Sequence, residues 1–94
     1  MKKYAQFVKE LSYNLKVSQV LYRVVPPVEY HVIEDEEYKF LCTDYVMVHT
    51  FDGKETYIFP CDCEGNVLNW CELPGSFSVY NHKMALDRMG YTVK

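Results

Sequence analysis

From Val17 onward, apolar side chains recur at every second position, and turn-forming residues cut the alternation into short runs. A period of two sends successive side chains to opposite faces of a strand, so this stretch reads as a series of strands. Val20, Tyr22 and Val24 alternate with Gln19, Leu21 and Arg23 in a first strand. Pro26-Pro27 is expected to stop it, because proline brings no N–H to a ladder. A second strand over 28–33 puts Val28, Tyr30 and Val32 on one face and Glu29 and His31 on the other. The acidic run 34–37 reads as a solvated turn. Residues 38–43 and 45–51 read as one long bent strand or two short ones, with Thr43-Asp44 as the break. Asp52-Gly53 is a hairpin signal, since glycine supplies the positive φ of a tight turn. The return strand covers 56–60, a further turn covers 62–66, and another strand covers 67–73 before Pro74-Gly75-Ser76.

The two ends read differently. In residues 3–16, Tyr4, Phe7, Val8, Leu11 and Leu15 fall at i, i+3, i+4, i+7 and i+11, one stripe of an amphipathic helix. Lys2, Lys9, Glu10 and Lys16 take the opposite side. A short helix near the C-terminal end has Ser78 or Asn81 as its cap, Met84, Ala85, Leu86 and Met89 as its apolar surface, and Gly90 as its stop. Tyr91 to Val93 can add a short strand. The expected fold is α+β: an antiparallel sheet of about five or six strands with an N-terminal and a C-terminal helix, in one domain covering 1–94.

Charge is sorted along the chain. Residues 1–33 carry a net of +3, residues 34–80 a net of −8 and residues 81–94 a net of +2. An acidic middle favours a basic partner, and opposes direct binding to a phosphate backbone. The nine tyrosines suit half-buried strands and interfaces, where an apolar ring and a hydroxyl are both satisfied. The cationic start is followed by Lys9, Glu10, Asn14 and Lys16 rather than by the apolar core of a signal peptide. No apolar run approaches the roughly 20 residues of a membrane span. A soluble, cytoplasmic protein is expected.

Few residues suggest chemistry. Cys61, Cys63, Cys71 and His82 could supply four zinc ligands, but a one-residue gap in the first pair and no second pair depart from structural zinc spacings. Free cysteines are the expectation, with no cofactor. His31, His49 and His82 fall in three different elements. No phosphate loop, H-E-x-x-H or G-x-S-x-G is present in the sequence, so no enzyme is expected.

The C-terminal half, roughly 44–92, carries Glu55-Thr56-Tyr57-Ile58-Phe59-Pro60, Gly65-Asn66-Val67, Asn69-Trp70 and Glu72-Leu73-Pro74-Gly75-Ser76-Phe77, then His82, Ala85-Leu86 and Gly90-Tyr91. In this it resembles small accessory proteins of tailed bacteriophages. The resemblance implies a protein that binds and blocks a host or defence protein, as anti-restriction and anti-CRISPR proteins do, by occupying a surface. Glu34, Asp35, Glu36, Glu37, Asp62 and Glu64 are the expected charge contacts with a basic surface on that partner. Trp70 is the expected anchor if exposed, since tryptophan is enriched at binding hot spots. The alternative is a structural or self-assembling phage component without a host target, because hairpin edges invite pairing into a homo-oligomer.

Overall fold

The computed structural model describes residues 2–13, 17–51, 55–69 and 82–94. Its elements are β1 (Tyr4–Tyr13), β2 (Val17–Glu34), β3 (Glu37–Phe51), β4 (Glu55–Cys61), α1 (His82–Arg88) and β5 (Thr92–Val93). They build one curled sheet in the order β4-β3-β2-β1-β5. The first three pairings are antiparallel, and β1 pairs with β5 in parallel.

The expected α+β arrangement, an antiparallel sheet with a helix at each end, is therefore replaced by a mostly β fold with a mixed sheet and, among the described residues, one short helix. The expected helix over 3–16 is the strand β1 in its described part. Its ladder with β2 slips between Phe7 and Lys9 and again between Glu10 and Ser12. Each bulge inserts an extra residue and breaks the alternation of two. Of the expected helical stripe, Phe7 is 58% and Val8 43% exposed, so that stripe is not an inward face of the strand.

Pro26-Pro27 does not end β2 either. The β2–β3 register passes from Arg23↔Tyr45 to Val28↔Thr43, so both prolines lie in a broad bulge where no ladder N–H is needed. Pro26 adopts a cis bond, and its carbonyl accepts a hydrogen bond from the Tyr91 hydroxyl at 2.7 Å. Residues 38–43 and 45–51 form a single strand. Of the expected strand over 67–73, the described part holds only a bridge between Cys61 and Val67. The Asp52-Gly53 turn, the rest of that strand and the Ser78/Asn81 cap lie outside the described residues.

The sheet is buried on both faces near its centre. On one face Ala5, Val20, Tyr22, Val24, Val46, Val48 and Ile58 pack against Ala85 and Leu86 of α1 and against Tyr91. On the other, Leu21, Met47 and Cys61 form a smaller cluster flanked by Leu11, Tyr45, Phe59 and Val67. Gly90, at φ +93, stops α1 as expected and returns the chain to pair β5 beside β1. Among the described residues no helix is long and apolar enough to cross a membrane.

Candidate functional site

The β1–β2 ladder ends at Tyr4↔Val25, and the β3–β4 ladder ends at Tyr45↔Cys61. Beyond them, among the described residues, β2 and β3 pair only with each other, from Val28↔Thr43 to Glu34↔Glu37. This two-stranded arm reaches about 20 Å from Val28 to its tip, at roughly 3.3 Å per residue.

Pairing register assigns its faces. Val28, Tyr30, Val32 and Glu34 share one face with Thr43, Leu41, Lys39 and Glu37. Val28 is buried and Tyr30 packs against the core, so this face is anchored at the root. The opposite face carries Glu29, His31, Ile33, Tyr38, Phe40 and Cys42. Ile33 is 66% exposed, and Tyr38 and Phe40 are each 67% exposed. His31 lies between the two rings, 5.8 Å from Tyr38 and 6.4 Å from Phe40. Exposed aromatic and aliphatic side chains of this kind are what contact surfaces are commonly built from.

At the tip, Asp35 and Glu36 sit at φ 51° and 65°. Two central residues at positive φ make a type I′ turn, which Asn-Gly fits far better. Glu34 stands opposite Glu37, a like-charge pair, while Lys39 bonds the Glu34 carboxylate at 2.9 Å. That ion pair is exposed and adds little stability. Glu34, Asp35, Glu36 and Glu37 are thus brought together, all exposed, in one turn.

The other expected contacts fall elsewhere. Asp62 and Glu64 belong to the turn after β4. There the Asp62 carboxylate accepts hydrogen bonds from the backbone N–H of Glu64 and Asn66, each at 2.9 Å, and from the Asn66 amide at 3.1 Å. These donors, those of Asn66 first, hold its carboxyl below the usual aspartate range. Asp62 serves its own turn, and Glu64 beside it is exposed. The same segment reaches the arm, where the Asn69 amide donates to the His31 carbonyl at 2.6 Å. Trp70 lies outside the described residues.

Cys61, Cys63 and His82 are placed apart in character. Cys61 is fully buried beside Leu21 and Met47. Burial, and then the Asp62 charge, push its thiol up to about 12, against the thiolate that zinc requires. Cys63 is exposed. Cys71 lies outside the described residues, and among those described no three His, Cys, Asp or Glu are grouped to hold a metal ion.

His82 instead opens α1, edge-on to Tyr22 at 6.2 Å. Burial, and then the neighbouring His49, lower its pKa; burial also lowers that of His49, whose Nδ1 shares a hydrogen bond with the Gln19 amide at 2.9 Å. Both imidazoles resist protonation in the fold, so the unfolded chain takes up protons first. Their effect is absent well above the ordinary value of 6.5 and destabilises the fold as pH drops below it. The urea midpoint should therefore fall between about pH 7.5 and pH 5.5, a window above most carboxylate titration. His82→Gln should flatten that slope; an equally steep slope in the variant would remove His82 from the effect.

Sequence reasoning missed the open face of the arm. Its signal was present: Ile33, Tyr38 and Phe40 fall in phase with Glu29 and His31 rather than with the buried set. Comparison with family models, with curated proteins and with solved structures finds no match to the chain.

Proposed function

We propose that this chain is a small phage-type interaction protein that binds and inhibits or redirects a host or defence protein in the host-cell cytoplasm, with the arm as its recognition element. The observation carrying this reading is the pairing of an acidic turn with an open apolar face on one projecting hairpin. The turn is a costly one. A non-glycine residue in the left-handed region costs about 1–2 kcal/mol, and here Asp35 and Glu36 both occupy it, flanked by facing glutamates. Natural sequences break local rules of this kind at sites they use.

The mechanism is occlusion without catalysis. The four carboxylates steer the arm toward a basic surface and raise the association rate. Tyr38, Phe40 and Ile33 then fill apolar hollows, and the contact is held by those anchors. Whatever that basic surface normally engages is displaced.

One variant separates this role from folding. Asp35→Asn with Glu36→Gly fits the type I′ turn and removes two charges. Thermal unfolding should show a gain of about 1 kcal/mol. In a pull-down from bacterial lysate read by quantitative mass spectrometry, the wild type should retain one dominant partner at low salt and lose it at high salt. The variant should retain much less of it. Equal retention by this more stable variant would overturn the reading.

A further inference from the structure

The arm carries opposite charges at its two ends. At the tip, Glu34, Asp35, Glu36 and Glu37 are offset, among the described residues, by Lys39. At the root, Lys3 and Arg88 line an open pocket of about 340 Å³ with Val28 and Glu29. Lys2, Lys3 and Lys94 line the adjoining pocket of about 360 Å³ beside β5. Tip and root are separated by the arm's own length, about 20 Å from Val28, so within one molecule these charges cannot meet.

We infer that two copies of this chain associate through their arms, laid antiparallel, so that the acidic turn of each meets the basic root of the other. A two-fold axis makes the contact self-complementary, with every tip-to-root pairing formed twice. The fixed spacing of the two charge clusters sets the register. The root pocket opens on the Val28 and Tyr30 face, beside Tyr91 and Arg88, so the faces carrying Ile33, Tyr38 and Phe40 point away from this contact. A two-stranded hairpin is marginal by itself in water, and a second hairpin along it supplies the missing packing. Parallel or tip-to-tip pairing would instead oppose four carboxylates to four, which the charge pattern disfavours.

The inference rests on the reading that the arm is a binding surface, and adds that a second copy competes with the partner for its acidic tip. Sedimentation of the purified chain across a concentration series tests it. At low salt a concentration-dependent dimer is expected, dissociating at high salt. Glu36→Lys with Glu37→Lys at the tip, and Lys2→Glu with Arg88→Glu at the root, should each weaken self-association about tenfold or more. An equal mixture of the two variants should form a mixed dimer, which a loss of folding in either could not produce. A chain that remains monomeric throughout overturns the inference, whatever it captures from a lysate. A dimer indifferent to both charge reversals also overturns it. A salt-sensitive dimer restored in the mixture supports it, even where no bacterial partner is retained and the proposed inhibition fails.

Discussion

Leu86→Ala should destabilise the fold by about 2–5 kcal/mol, the usual range for truncating a buried leucine. Leu86 is fully buried, and with Ala85 it forms the buried side of α1. The helix has only seven residues, too few to persist without tertiary packing. Its hold on the sheet therefore depends on a few side chains, of which Leu86 is the largest buried. Domains of this size have stabilities of about 5–15 kcal/mol, so the loss is a large part of the whole. Urea unfolding should show a lower midpoint with an unchanged slope. A loss under about 1 kcal/mol would mean that α1 is not part of the core unit.

Gly65→Ala should cost about 1–3 kcal/mol for a different reason. Gly65 lies at φ +91, where a Cβ is disfavoured, and that Cβ would stand 2.7 Å and 2.8 Å from the two methyl groups of Leu11. The turn it belongs to is tightly bonded: Gly65 N–H donates to the Asp62 carbonyl and Asp62 N–H to the Asn66 carbonyl, both at 3.0 Å. It cannot easily reshape. Leu11→Ala in the Gly65→Ala background would relieve the crowding but not the dihedral. A double-mutant cycle by thermal unfolding then divides the two causes. A neutral Gly65→Ala would contradict both the positive φ and the contact with β1.

How much of this was legible in the sequence varies by element. The acidic turn, the return strand, the turn after β4 and the stop at Gly90 each follow from local chemistry, whereas Thr43-Asp44 left open whether 38–51 is one strand or two. Turn residues and two-residue alternation act over a few positions, and nothing distant overrides them. β1 was not legible, because Ala5, Gln6, Lys9, Glu10 and Leu11 suit a helix well enough. Strand state was imposed from outside, by β2 on one edge and β5 on the other, with bulges that erase the period of two. The continuity of β2 through two prolines was hidden for a related reason. A proline is tolerated wherever the ladder skips, and where it skips depends on the partner strand.

The candidate site was half legible. Four consecutive acids announce an exposed turn, but not the arm that carries them away from the core. That projection exists because β1 and β4 stop short, at Val25 and Tyr45 on their neighbours, and no residue within 28–43 encodes it. Asp62 was misleading in the opposite sense, since a side chain that accepts from its own turn looks, in sequence, like any other free carboxylate.

The parallel pairing of Tyr4 with Thr92 and of Ala5 with Val93 brings the two extremes of the described chain together. During synthesis β1 is made before β5, so one edge of β1 waits for its neighbour until all the chain between them has been made. Closing so long a loop precedes any reward from the contact, which places this domain among slow, high contact-order folders, with refolding in milliseconds to seconds rather than microseconds. For that interval an incomplete sheet edge is open to other chains. How quickly β5 closes that edge, rather than the stability of the finished sheet, therefore sets how long the chain is open to misassembly.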